Sequence, residues 1–150
     1  MYFISFIAII LVTVAMSFSF ATPFTTLLDL PSLLLLLIVC IPVLFSTGLQ
    51  KDFCNAFRIG LSKNTTVSLT AIKRAHEAVS LMIKTLLYSG LLLFVLSCCI
   101  VLLTLEDLTY LGANLSVSAL CFVYATAFIV LLLPLKSILK VKIMEYMQES

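Results

Sequence analysis

Four stretches free of Asp, Glu, Lys, Arg and His dominate the chain: Met1–Leu28, Leu30–Gln50, Thr85–Leu105 and Leu108–Leu135. Each exceeds the roughly 18–20 apolar residues a helix needs to cross the hydrocarbon core of a bilayer. Such a segment has to satisfy its own backbone N–H and C=O groups, which selects the helix as its form. The expectation is an all-α, polytopic membrane protein with four transmembrane helices, at 2–21, 31–49, 83–105 and 111–135. They make one membrane domain over residues 1–150. A hydrophobic content of 63% and a mean hydropathy of +1.25 agree, since soluble domains hold about half apolar residues.

Charge placement orients the segments. Lys51, Arg58, Lys63, Lys73, Arg74 and Lys84 lie between the second and third spans, and Lys136, Lys140 and Lys142 follow the fourth. Asp29, Glu106 and Asp107 occupy the two remaining turns. The positive-inside rule then puts both termini, the segment 50–82 and the tail 136–150 in the cytoplasm. The start, Met1-Tyr2-Phe3-Ile4, has no positive n-region, so the first stretch is expected to be retained rather than cleaved. The same basic groups are placed where anionic lipid would attract them, but positive-inside topology alone accounts for their position.

Local signals fill in the elements. Thr13 and Ser17 form a small-xxx-small step in the first span. Ala21-Thr22-Pro23 breaks that helix, and Pro23–Leu28 forms a short external turn. Asp29-Leu30-Pro31-Ser32 opens the second span: Pro31 gives up an N–H that had no intrahelical partner, and Asp29 complements the helix N-terminus. Pro42 should kink that span. Over Lys51–Leu61, Phe53, Phe57 and Gly60/Leu61 fall on one line, which predicts a short amphipathic helix at the inner membrane surface or under the bundle. Ser62–Thr66 reads as a turn. From Val67 the period Leu69, Ile72, Ala75/His76, Val79, Met82/Ile83, Leu86 returns, with no Gly or Pro over Ser68–Ser89. That predicts one helix of about 38 residues, roughly 57 Å long, whose first third projects into the cytoplasm. Glu106–Leu111 is a tight external turn, and Pro134 marks the inner end of the fourth span. Leu135, Ile138, Leu139, Ile143 and Met147 continue an apolar stripe opposite Lys136, Lys140 and Glu145, so the fourth helix also extends into the cytoplasm. The sequons at Asn64 and Asn114 lie inside and against the membrane, respectively, and neither is expected to carry a glycan.

Chemistry-bearing residues are sparse. Cys40, Cys98, Cys99 and Cys121 lie in predicted spans and Cys54 in the cytoplasmic segment. No CxxC pair or nearby His completes a metal pattern, so the five are read as small hydrophobes. His76, beside Glu77, is read as a solvated residue. Ser97, Ser116, Ser118, Tyr124 and Thr126 are polar groups within or beside spans, where hydroxyls commonly bond their own backbone or a neighbouring helix. The spans hold no acid or base, and no phosphate loop or nucleophile pair is visible, so neither enzyme activity nor a cofactor is expected.

Two segments carry a family resemblance. Phe24-Thr25-Thr26-Leu27-Leu28-Asp29-Leu30-Pro31-Ser32-Leu33-Leu34 resembles the "F-I-D-x-P-S-L-L" entry to the second span of the MotA/TolQ/ExbB family. Leu111-Gly112-Ala113-Asn114-Leu115-Ser116-Val117-Ser118-Ala119-Leu120-Cys121-Phe122-Val123-Tyr124-Ala125 is similar to its "G-P-N-M-A-V-A-L-L-T-T-L-Y-G" at the start of the fourth. Asp29, Pro31, Ser32, Gly112, Asn114 and Pro134 hold the structural positions of that pattern. The order of two spans, a cytoplasmic segment and two more spans is also similar. The resemblance implies a homopentamer around two copies of a single-span, MotB/ExbD-like partner, in a bacterial cytoplasmic (inner) membrane. It implies energy coupling to a proton or sodium gradient, with the partner's aspartate carrying the ion. By family position Phe94, Ser97, Cys121, Phe122 and Tyr124 would line the ion route, and Lys73, Arg74 and Glu77 would be the cytoplasmic interaction face. Phe94, Cys121 and Phe122 replace threonines of the family pattern. The alternative expectation is therefore a non-conducting membrane scaffold or accessory protein that has lost those hydroxyls.

Overall fold

The computed structural model describes Ile7, Leu11 and residues 29–61, 67–104 and 108–148. Among these the architecture is entirely helical: α1 (Leu30–Ser46), α2 (Gln50–Leu61), α3 (Leu69–Thr104), a single 3-10 turn (Leu108–Tyr110) and α4 (Leu111–Gln148). Most of the expected first span, the turn at 62–66 and the charged pair Glu106-Asp107 lie outside the described residues.

α3 and α4 form the frame. At 36 and 38 residues they measure roughly 54 and 57 Å at 1.5 Å per residue. The expected single long helix is thus present, and α4 runs through Pro134 into the tail as expected. The two are antiparallel: Phe94 meets Phe122, and Gly90 abuts Ala125. Along α3 the interface positions are Ile72, Ala75, Val79, Met82, Leu86, Ser89 and Leu93, in alternating steps of three and four. Such spacing keeps one seam facing a partner helix along its whole length. Opposite it, α4 supplies Cys121, Ala125, Ile129, Leu132, Leu135, Leu139 and Ile143.

Both rods are long and apolar enough to cross a bilayer. α1 is not, by itself. Its 17 residues span about 25 Å against a hydrocarbon thickness of about 30 Å. α1 and α2 reach a span's length only as a pair, and the chain bends by 99° between them. The second span was expected at 31–49; the helix stops at Ser46 instead. The hydroxyls of Ser46 and Thr47 both bond the Val43 carbonyl, and Gly48 then takes a φ of 67°, a conformation that favours glycine. Four spans thus reduce to two established by length and apolarity, with α1 too short alone and the first stretch outside the described residues.

α2 crosses the hairpin as a strap at the end where α3 begins and α4 finishes. Its expected apolar line was Phe53, Phe57 and Gly60/Leu61. The buried face is rotated from that line: Ala56 and Ile59 are buried, Phe53 is half-buried, and Phe57 and Leu61 are exposed. Small residues decide the rotation. A methyl at Gly60 would lie 2.5 Å from Leu135 Cδ1, so α2 approaches α4 on the side that carries least bulk. Phe57 still meets Phe53 edge-on, with centroids 5.3 Å apart. Two polar contacts hold the strap. Asp52 in its first turn pairs with Arg74 of α3 at 3.0 Å, and Lys142 Nζ of α4 donates to the Ile59 carbonyl at 2.6 Å. An acid at the helix start and a cation at its end both complement the helix dipole.

Candidate functional site

The chemistry-bearing groups gather where α1 enters between α3 and α4. Asp29 caps α1: one carboxylate oxygen, Oδ2, accepts from the Ser32 backbone N–H at 3.2 Å and from the Ser32 hydroxyl. Capping of this kind satisfies donors that have no intrahelical partner. The Asp29 backbone N–H donates to the Tyr124 hydroxyl of α4 at 2.7 Å. One helical turn earlier on α4, the buried Cys121 thiol donates to the Ser32 carbonyl at 3.8 Å. Asp29 and Ser32 on one side, and Cys121 and Tyr124 on the other, thus make a polar knot between segments distant in sequence.

Deeper along α1, Cys40 is buried with its sulfur 3.5 Å from Ser89 Oγ. Ser89 also donates to its own helix, to the Thr85 carbonyl at 2.7 Å. Beside it, Gly90 lets the α3 and α4 backbones close up: a methyl there would collide with Ala125 Cβ and lie 3.7 Å from the Cys121 carbonyl. Most hydroxyls in this region are used locally. Ser118 donates to the Asn114 carbonyl, Ser116 to Ala113, and Thr126 to Phe122 and Val123. The expected backbone bonding of serine and threonine is present at these positions.

Of the residues placed on the ion route by resemblance, Phe94 and Phe122 come together, with ring centroids 6.3 Å apart and planes tilted by 41°. Cys121 and Tyr124 join the knot with α1, while Ser97 is half-exposed further along α3. Pro31 occupies the first turn of α1. Gly112 and Asn114 lie on the exposed start of α4, and Pro134 is half-buried inside it. The expected cytoplasmic face divides. Lys73 and Glu77 are exposed one turn apart, whereas Arg74 is engaged with Asp52.

His76 departs from its solvated reading. It is half-buried, its Nε2 is enclosed without a hydrogen-bond partner, and Lys136 and Lys140 of α4 face it. Burial lowers its pKa first, Lys136 and Lys140 lower it further, and Glu77 opposes them. The imidazole is therefore harder to protonate than a free one. Cys40, Ser89 and the Lys142 contact were not singled out as site residues by sequence. Each acts through a neighbour more than 45 residues away, and no local pattern marks such pairs. Among the described residues no cluster of His, Cys, Asp and Glu could hold a metal.

Comparison with protein-family models, with curated proteins and with solved structures finds no match to this chain.

Proposed function

We propose that the chain is a MotA-like subunit of an oligomeric membrane complex that couples a proton or sodium gradient to work done with a single-span partner. The observation that carries this reading is the Asp29–Tyr124 hydrogen bond, 95 residues apart in sequence. It joins the two segments on which the family resemblance rests, each of which alone is merely a well-started helix. Support also comes from two long apolar rods that continue past the membrane-length portion into a charged end. The outward face of that hairpin includes Leu87, Leu91, Leu92, Val95, Val123 and Phe128, an apolar surface of the sort that lipid or neighbouring subunits cover.

In this reading five copies surround the partner, both termini and α2 lie on the cytoplasmic side, and the partner's carboxylate carries the ion. The first stretch and α1 complete the set of four spans, α1 tilting little because it is short.

A second reading is favoured by one contact. Phe94 and Phe122 pack against each other where the family pattern carries threonines, and two phenyl rings exclude water from that height of the hairpin. A scaffold that binds its partner without conducting follows from that plug.

Reconstitution separates the readings. The full chain, co-expressed with a single-span protein bearing an Asp near the start of its span, is expected to purify as a pentamer with two partner copies. Its liposomes are expected to dissipate a proton or sodium gradient, and Phe94→Thr with Phe122→Thr is expected to raise that flux. A pentamer with partner but without flux, in parent and variant, establishes the scaffold. A monodisperse monomer removes both readings.

A further inference from the structure

The register of α3 against α4 sets how deep each group lies in the hairpin. Gly90 abuts Ala125, and Phe94 meets Phe122 with ring centroids 6.3 Å apart. Phe94 stands ten residues before the end of α3, and Cys121 ten residues after the start of α4. At 1.5 Å per residue that layer is roughly 15 Å from the hairpin tip, half of a hydrocarbon core of about 30 Å.

α1 begins in this layer. The Cys121 thiol donates to the Ser32 carbonyl, and the Asp29 N–H donates to the Tyr124 hydroxyl. Tyrosine side chains lean toward the N-terminus of their helix, which brings the Tyr124 hydroxyl toward the level of Cys121. Asp29 is thus within about one turn of Cys121, roughly 10–15 Å from the tip. An external turn, the position expected for Asp29, would be at the tip.

A bilayer seated lower on the rods would put Asp29 at its surface. The magnitudes rule against this. A core of about 30 Å covers about twenty residues of helix, so one starting at Cys121 would end near Val141. It would enclose Lys136 and Lys140 of α4, and Lys84 of α3, which the register sets opposite Leu131. Each lysine at core depth costs up to about 3 kcal/mol, as a single aspartate does. It would also lift residues 95–104, which hold no charge, out of the lipid. Met1–Leu28 carries no charge either, so the sequence leading into Asp29 has no group that requires water.

We propose that Asp29 is a carboxylate held at mid-depth of the bilayer, where it binds and releases a proton. Ionisable groups at that depth mark ion pathways and proton relays. Among the described residues both hydrogen bonds to this carboxylate fall on Oδ2, from the Ser32 N–H and hydroxyl, which leaves Oδ1 to take the proton. The inference rests on the reading of the hairpin as membrane-spanning, but not on a partner, on ion-driven work or on the pentamer.

Two probes test depth and protonation separately, in the full chain with Cys98 and Cys99 replaced by serine. Leu30→Cys puts a thiol beside Asp29 and Tyr110→Cys puts one at the tip; both positions are exposed in the monomer. An impermeant maleimide applied to intact cells is expected to label Tyr110→Cys. It should react with Leu30→Cys on the order of 100-fold more slowly, because a thiol in lipid does not ionise. Cys54 stays in place and should react only in inverted vesicles. In reconstituted liposomes the apolar reagent dicyclohexylcarbodiimide is expected to modify Asp29. The carboxyl proton goes to one carbodiimide nitrogen, the oxygen adds to the central carbon, and acyl migration leaves a stable acylurea with no group lost. Labelling requires the proton, so it should slow as pH rises, and Asp29→Asn should abolish it. Equal rates for Leu30→Cys and Tyr110→Cys would put Asp29 at the surface and overturn the proposal. So would the absence of an adduct on Asp29 between about pH 5 and pH 9. Reaction of Tyr110→Cys and Cys54 from the same side would overturn the spanning hairpin itself, and this proposal with it.

Discussion

Gly90→Ala is the substitution whose outcome depends most directly on how closely α3 and α4 approach. On an exposed helix, replacing glycine by alanine stabilises by about 1 kcal/mol through backbone entropy. Here the new methyl would collide with Ala125 Cβ, an atom fixed to the facing backbone and unable to rotate away. Relief requires the rods to separate, and overpacking of that kind costs about 1–3 kcal/mol. The two effects leave a net destabilisation of about 1 kcal/mol. Removing the opposing methyl restores the space, so Gly90→Ala with Ala125→Gly should recover most of the loss. The coupling between the two sites should be about 1–2 kcal/mol. Cys40 and Cys121 are buried beside this contact, while Cys54 and Cys99 are exposed and Cys98 is partly so. With the three accessible thiols replaced by serine, pulsed alkylation during an SDS titration in mixed micelles reads the opening of the interface. Additive effects, with Gly90→Ala stabilising by its full helix-propensity gain, would refute close approach at this point.

Three further outcomes are expected. Tyr124→Phe removes the acceptor for the Asp29 N–H and should cost about 1 kcal/mol, read as faster hydrogen exchange at the start of α1. The pKa of His76 is lowered in the folded chain, so the unfolded form takes up a proton first as pH falls. Stability is therefore constant above the ordinary histidine value of 6.5 and should fall as pH drops below it, a slope that His76→Gln should flatten in thermal melts between about pH 7.5 and pH 5.5. A membrane-impermeant maleimide should label Cys54 in inverted vesicles and leave it unlabelled in intact cells, while Cys40 and Cys121 react only after unfolding; labelling of Cys54 from outside would reverse the topology.

The helical elements were legible because their signals are local. The unbroken run without Gly or Pro before Ser89 announces α3, and Asp29-Leu30-Pro31-Ser32 announces the start of α1. The end of α1 was missed because the apolar stretch continues to Gln50, whereas Ser46, Thr47 and Gly48 turn the chain by backbone hydrogen bonding that hydropathy does not register. The buried face of α2 was misplaced for a related reason. Phenylalanines mark hydrophobicity, but the hairpin selected the small Ala56 and Gly60, which allow closer contact. His76 was read as solvated because the charged Glu77 follows it; Lys136 and Lys140, which face it, come from α4, some sixty residues away. The same distance hid the roles of Ser89 and Lys142.

The two ends of α2 are fastened to different helices, Asp52 to α3 and the Ile59 carbonyl to α4. A crosspiece pinned in this way opposes sliding of the two rods where α3 begins and α4 finishes, because any slip would have to stretch one pin or the other. The chain passes from α1 to the crosspiece through Thr47, Gly48 and Leu49, and a side chain at Gly48 would touch nothing within 4 Å. The direction of α2 relative to α1 is thus set at Gly48, whose φ of 67° lies in open space rather than in a packed contact.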